Sequence, residues 1–206
     1  MTVLIATPTF DGNVCADYLL SLLATREKLD FDLCLIPGVH FADTARDLAV
    51  ARFLESKADH LFFIDADLGW PDDAVARLIA HDKDVVGGAY PIKHDERLYP
   101  VICGEDKQDG LISATGLPGG FLCIKRRVLE TIASSVPHYH KAMGARVMDV
   151  PAVFAREFIG SQMIGEDFMF CRRAREAGFE LWLDPDISFS HVGTKAWRGN
   201  YAKDTQ

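Results

Sequence analysis

From residue 3 to residue 86 the chain repeats one pattern, a short apolar run followed by a stretch with helical periodicity. Val3–Ala6, Phe31–Ile36, Leu61–Ile64 and Asp84–Val86 read as strands, whereas Asn13–Lys28, Asp43–Lys57 and about Asp72–Ala80 read as helices. In the second helix Val50, Phe53 and Leu54 recur at the i, i+3, i+4 spacing of a buried stripe. Strands that alternate with helices imply an α/β fold with a mostly parallel central sheet covered on both faces. Such a sheet takes ligands outside the carboxyl ends of its strands. Three segments fall there: Thr7-Pro8-Thr9, Gly38-Val39-His40 and Asp65-Ala66-Asp67.

Beyond residue 100 the pattern changes. Val101–Cys103, Gly110–Thr115 and Phe121–Ile124 read as shorter strands, and Arg127–Ser134 as a short helix. Pro137–Arg156 is the least patterned stretch, long enough to suggest an acceptor loop or a lid. Helical spacing returns near Gly165, with Phe170, Cys171, Ala174 and Ala177 on one face and Gly178 as its stop. No linker or repeat interrupts the 206 residues, so one domain is expected. Within it, the change of pattern divides about 1–100 from about 101–193, with 194–206 as a tail.

Composition narrows the function. A formal charge of −8 argues against a protein that works by neutralising nucleic-acid phosphates. Arg46, Lys93, Lys125, Arg126 and Arg127 are still available for a local basic pocket. The five cysteines, at positions 15, 34, 103, 123 and 171, have neither disulfide-framework nor zinc spacing and suit a reducing compartment. Val3–Ala6 is too short for a signal core or a membrane span, which makes the cytoplasm the expected location, with any membrane contact peripheral.

The pair Asp65 and Asp67 leaves the apolar run Leu61–Ile64. Residues i and i+2 of an extended chain point to one side, so both carboxylates can approach one ligand. Hard oxygen ligands suit Mg²⁺ or Mn²⁺, and a cation held by one or two carboxylates keeps positions open for substrate phosphates. Asp is also common where strands turn, and Gly69-Trp70-Pro71 is a turn signal, so the pair alone is consistent with a simple strand end. Two further groups change the balance. Asp167, within Gly165-Glu166-Asp167, opens a helix and lies one turn before its apolar face. His191 ends the alternating segment Ile187–Ser190, and imidazole is a common metal ligand.

Taken in order, Leu61–Pro71, Gly119–Arg126, Gly165-Glu166-Asp167-Phe168 and Ser190-His191 resemble a GT-A-type glycosyltransferase of the family 2 kind, over roughly residues 1–193. The resemblance implies a Rossmann-like nucleotide-diphospho-sugar transferase fold. It places Thr7, Pro8 and Arg46 beside the nucleotide, with Asp65 and Ala66 beside the ribose or sugar. It makes Asp67 and His191 the ligands of Mn²⁺ or Mg²⁺, Asp167 the general base of an inverting transfer, and Glu166 an orienting acid. The partners implied are a nucleotide sugar and a glycan, lipid-linked or protein acceptor. One departure stands out: Asp47 follows Arg46 where such relatives often carry Asn.

The main rival is a sugar-nucleotide nucleotidyltransferase, which would need a Gly-rich basic loop after the first strand. Thr7–Gly12 has one Gly and no Lys or Arg. A phosphatase built on Asp-x-Asp lacks its Thr or Val at Gly69, and an NAD enzyme lacks its Gly-x-Gly-x-x-Gly. A nucleotide- or glycan-binding protein without turnover fits the same residues. Trp70, Tyr90, Trp182 and Trp197 offer either sugar-stacking surfaces or ordinary packing.

Overall fold

The structure, a computed structural model, describes residues 2–205. The alternation expected of the first half forms as β1 (Val3–Thr9), α1 (Ala16–Arg26), β2 (Asp32–Pro37), α2 (Ala42–Glu55) and β3 (His60–Ile64). A short β4 (Leu68–Gly69), α3 (Ala74–Ala80) and β5 (Val85–Gly88) follow. The second half supplies β6 (Ile102–Gln108), β7 (Leu111–Gly116), β8 (Phe121–Lys125) and α4 (Arg126–Ala133). Then come β9 (His138–Met143), β10 (Arg146–Pro151), β11 (Glu157–Ile159), β12 (Gln162–Ile164) and α5 (Glu166–Glu176). The chain closes with β13 (Leu181–Asp184), β14 (Ser188–Val192), β15 (Ala196–Asn200) and α6 (Tyr201–Asp204).

Eight strands form the central sheet in the order β2-β1-β3-β8-β5-β13-β7-β6. β2, β1, β3, β5, β13 and β6 run one way, and only β8 and β7 run against them. The mostly parallel sheet therefore forms as the alternation required. Its middle strands carry near-continuous apolar runs because both faces are covered, with polar residues only at their ends, at His60, Lys125 and Asp184. Leu61 and Phe63 of β3 face α2, α4 and α5, while Phe62 and Ile64 face Tyr18, Trp70 and α3. All four are fully buried. At about 1.5–3 kcal/mol for each such side chain, β3 is a rigid support for whatever its carboxyl end carries.

Several elements escaped the sequence pattern, β4, β11, β12, β15 and α6 among them, and two cases bear on the core. Leu181–Asp184 is a short central strand beside β5, parallel to it from Leu181↔Val85 to Asp184↔Gly88. The stretch 137–156, expected to be a loop, contains the β9–β10 hairpin instead. Met148 and Val150 of β10 are buried, and the hairpin packs on α2. That second cover explains α2 itself, which is buried continuously from Ala45 to Ala51, including the ionisable Arg46 and Asp47. Separate small sheets join β15-β14-β4 and β11-β12. Among the described residues no helix is long and apolar enough to cross a membrane.

Candidate functional site

The carboxyl end of β3 delivers the Asp65-Ala66-Asp67 loop, and neighbouring elements fix each of its residues. The Asp65 N–H donates to the Gly120 carbonyl at 2.9 Å, the Ala66 carbonyl accepts from the Cys15 N–H at 2.9 Å, and the Asp67 carbonyl accepts from the Val192 N–H at 2.8 Å. The backbone of the acidic pair is thus held by the start of β8, the start of α1 and the end of β14. A loop tied on three sides needs little reorganisation to receive a ligand.

The last of those ties brings His191 to Asp67. β14 pairs antiparallel with β4, setting His191 opposite Leu68. The His191 Nδ1 lies 2.8 Å from the Pro91 carbonyl, which can only accept, so Nδ1 carries the proton. In the neutral ring this leaves the Nε2 lone pair facing Asp67 Oδ2 at 3.5 Å. Tyr90 braces the imidazole edge-on, with ring centroids 5.1 Å apart. A backbone carbonyl that accepts the Nδ1–H is the kind of partner that fixes the tautomer and orientation of a metal-ligating histidine. Among the described residues no three or more His, Cys, Asp or Glu side chains cluster as a metal site. The two side chains here that could hold a cation are Asp67 and His191, a set that would leave the ion's other positions to phosphate oxygens. Lys93 also reaches Asp67, with Nζ 2.5 Å from Oδ2. Burial pushes the Asp67 carboxyl up, but the Lys93 ammonium and His191, when its ring is the imidazolium with Nε2–H toward the carboxylate, outweigh it and hold its pKa at about 2.

Asp65 has a different partner. Arg46 Nη2 lies 3.2 Å from its Oδ1, and Arg46 is only 5% exposed. Burial alone would drive the guanidinium to lose charge, yet Asp65, Glu166 and Asp167 more than compensate, so it stays a cation. Burial likewise raises the Asp65 pKa against the pull of Arg46. Two glycines make this packing possible. A methyl on Gly119 would stand 2.7 Å from Arg46 Nε, and one on Gly120 would collide with the Tyr90 hydroxyl and the Asp65 carboxylate. The Tyr90 hydroxyl in turn accepts the Gly120 N–H at 3.1 Å. Gly119-Gly120 is thus a space requirement as well as a turn.

Asp167 sits in the first turn of α5, where its Oδ1 accepts the Phe168 N–H at 2.8 Å. Burial and the adjacent Glu166 raise its pKa, against hydrogen bonds from the Phe168 and Gly119 backbone. A half-buried carboxylate with raised basicity has the property a general base needs.

The remaining expected residues divide. Pro8 lines an open cleft of about 480 Å³ together with Phe10, Asn13, Asp65, Ala66 and Asp67, a volume within the usual range for small-molecule sites. Thr7 does not reach that cleft with its side chain. Successive residues of β1 alternate between faces, and Thr7 is fully buried with its hydroxyl 2.6 Å from the Tyr18 phenol. Arg46 is directed to Asp65 rather than to open solvent. Asp47 turns away from the site, where its Oδ1 accepts the Phe154 N–H at 2.7 Å. Of the proposed basic pocket only Arg46 and Lys93 belong here, because Lys125 pairs with Asp82, Arg127 with Asp84, and Arg126 caps the carbonyls of Phe53, Ser56 and Ala58. Trp70 and Trp182 are buried packing residues, and Trp70 Nε1 donates to Thr25 Oγ1. The contribution of Pro91 had no sequence signal, since it is made by a backbone carbonyl.

No protein-family model and no curated protein sequence matches the chain. Solved structures do. A197 from STIV superposes with a TM-score of 0.59 at 22% identity, covering 94% of this chain and 86% of that one. GalNAc-T7, solved with UDP, GalNAc and Mn²⁺, superposes with a TM-score of 0.52 at 12% identity, covering 94% of this chain and 44% of that one. The chain thus spans less than half the length of the second protein. Together with the sheet order, these likenesses establish an α/β fold of the GT-A, Rossmann-like type, with a mostly parallel central sheet flanked by helices.

Proposed function

We propose that the chain is a glycosyltransferase that moves a sugar from a nucleoside-diphosphate donor to an acceptor hydroxyl with inversion at the anomeric carbon. The observation that carries this reading is the opposition of Asp67 and the Nε2 lone pair of His191, with the imidazole fixed by Pro91, at the carboxyl end of a GT-A-type sheet. A Mn²⁺ or Mg²⁺ held by Asp67 and His191 supplies, when bound, positive charge for the diphosphate that leaves. The fold shared with GalNAc-T7, solved with UDP, GalNAc and Mn²⁺, agrees with that choice.

The chain's own groups divide the remaining work. Pro8 and the Asp65-Ala66-Asp67 loop line the cleft assigned to the donor, and Asp65, held by Arg46, takes the ribose or sugar hydroxyls in this reading. Asp167 takes the proton of the acceptor hydroxyl as its oxygen bonds to the anomeric carbon and the bond to the diphosphate oxygen breaks on the opposite side. Glu166 orients the incoming acceptor. In this division residues 1–100 hold the donor and 101–193 bring the base and the acceptor surface, the acceptor being a glycan, a lipid-linked sugar or a protein hydroxyl.

The test is a screen of nucleotide sugars with Mn²⁺, followed by two variants. Asp67→Ala is expected to abolish cation-dependent donor binding. Asp167→Asn is expected to keep donor binding and to lose transfer by about 10²–10⁴-fold, the range of a general base. Full transfer by Asp167→Asn would refute the assigned base, and pyrophosphate-dependent formation of nucleoside triphosphate would refute the transferase itself.

A further inference from the structure

Lys93 pairs with the carboxylate to which the proposed function assigns the divalent cation. Its Nζ lies 2.5 Å from Asp67 Oδ2, on the carboxylate that also faces His191 Nε2. It stands in the irregular segment 89–101 between β5 and β6, a length of non-repetitive chain that is usually functional. The same segment provides the Pro91 carbonyl that orients His191, and its Asp95 pairs with Lys195 in the turn after β14. The aliphatic stem passes over Gly193, where a methyl would stand 3.1 Å from Lys93 Cδ. The side chain is about one-third exposed, so it has open space to swing into.

The charge inventory explains why a lysine belongs there. The site gathers the carboxylates of Asp65, Asp67, Glu166 and Asp167, and Arg46 is buried against Asp65. A diphosphate approaching bare Asp67 would meet like charge at close range. An ammonium on Asp67 neutralises it in the free protein, and an ammonium that is released becomes a donor for phosphate oxygens. A flexible, strongly hydrated point charge suits such an exchange better than a planar guanidinium locked in a fork.

We propose that Lys93 is a movable counter-charge: it occupies Asp67 while the site is empty, gives way to the divalent cation, and then binds the donor diphosphate. This rests on the donor-site reading above. It has a consequence that simple crowding by a positive charge does not share. Removing the ammonium helps the cation when it binds alone and harms the diphosphate when it binds with the cation.

The experiment titrates the full chain with Mn²⁺ alone by calorimetry, then with UDP, GDP, ADP and CDP at saturating Mn²⁺, taking the tightest. Lys93→Met is expected to bind Mn²⁺ alone about tenfold tighter and the diphosphate about tenfold more weakly, the size of one charge-assisted hydrogen bond. Lys93→Arg, which keeps the charge, is expected to return diphosphate affinity to within about threefold of the original chain. Unaltered thermal melting of both variants establishes that they fold. If Lys93→Met weakens Mn²⁺ binding, or leaves both affinities unchanged, Lys93 is not the counter-charge and the donor site stands without it. If the original chain binds neither Mn²⁺ nor any of the four diphosphates, the donor-site reading and this inference fall together.

Discussion

Asp47 makes the stability of this protein depend on pH in an unusual direction. Its side chain is buried, 2% exposed, and accepts from the Phe154 N–H at 2.7 Å and from the Tyr139 hydroxyl at 3.4 Å. Burial outweighs both hydrogen bonds and raises its pKa from 3.8 to about 7. Between those values the folded chain keeps a proton that the unfolded chain releases, so unfolding becomes easier as pH rises. The stabilisation is complete below about pH 4 and lost above about pH 7; a gap of roughly three pH units corresponds to about 4 kcal/mol. Asp47→Asn removes the titration and preserves the contacts, since the amide oxygen can accept from Phe154 and the amide N–H can donate to Tyr139. Urea denaturation at pH 5, 6, 7 and 8 is therefore expected to show the two proteins converging at the acid end. At pH 8 the variant should be more stable by up to about 4 kcal/mol, read as a higher midpoint at constant slope. Parallel curves across the range, or a variant that is weaker at pH 8, would refute the buried protonated carboxyl. The effect bears on the site because the Phe154 ring stacks on Phe170 of α5, centroids 4.8 Å apart, in the helix that opens with Asp167.

Three other perturbations separate packing from ligand binding. Gly120→Ala forces a methyl against the Tyr90 hydroxyl and the Asp65 carboxylate and is expected to cost about 1–3 kcal/mol, lowering the melting temperature by several degrees; an unchanged melt would show that the loop yields freely. Thr7→Val strands the Tyr18 phenol and is expected to cost about 1–3 kcal/mol with donor affinity unchanged; a variant that melts normally but loses donor affinity would return Thr7 to the ligand. Phe158 and Met163 are cross-strand partners in the β11–β12 hairpin just before Asp167, 74% and 57% exposed. Changing both to Ser should leave stability within about 0.5 kcal/mol and raise the acceptor KM without altering donor affinity, which equilibrium dialysis and initial rates would distinguish.

The parts of this fold that could be read from sequence are those in which burial and periodicity agree. β1, β3 and β8 are covered on both faces and show it as unbroken apolar runs, whereas the i, i+2 parity expected of Asp65 and Asp67 does not apply, because β3 ends at Ile64 and the Leu68 N–H closes a turn on the Asp65 carbonyl at 3.2 Å. The β9–β10 hairpin was hidden because its partner is not a plain apolar surface. Tyr139 turns inward to a carboxylate on α2, and the outward positions carry His138, His140 and Asp149, so no clean alternation marks it. The central strand β13 was hidden by brevity, four residues from Leu181 to Asp184. The meeting of Asp67 with His191 depends on the pairing of β4 with β14, and that of Asp67 with Lys93 on the path of segment 89–101; neither has a local signal.

The sharpest failure of local rules is α2, and it leads to the site. A helix that carries Arg46 and Asp47 in succession should expose at least one of them, since adjacent positions lie about 100° apart around the axis. Both are buried, because the sheet covers one side and the β9–β10 hairpin the other, and each side chain has been given one specific use. Arg46 is committed to Asp65, and Asp47 to the Phe154 backbone. A buried ion pair contributes little net stability compared with apolar residues of the same shape, but removing one partner strands the other. Arg46→Met is therefore expected to raise the Asp65 pKa further and leave its carboxyl without the partner that holds it in place, while the double change Arg46→Met with Asp65→Leu recovers stability and abolishes donor binding. If the single change leaves donor affinity intact, Arg46 serves the fold alone. If the double variant is as unstable as the single one, the cost lies in packing against Gly119 and not in the stranded charge. Local inconsistency of this kind is expected where a fold sacrifices stability for chemistry, and here it lies directly behind the first carboxylate of the acidic pair.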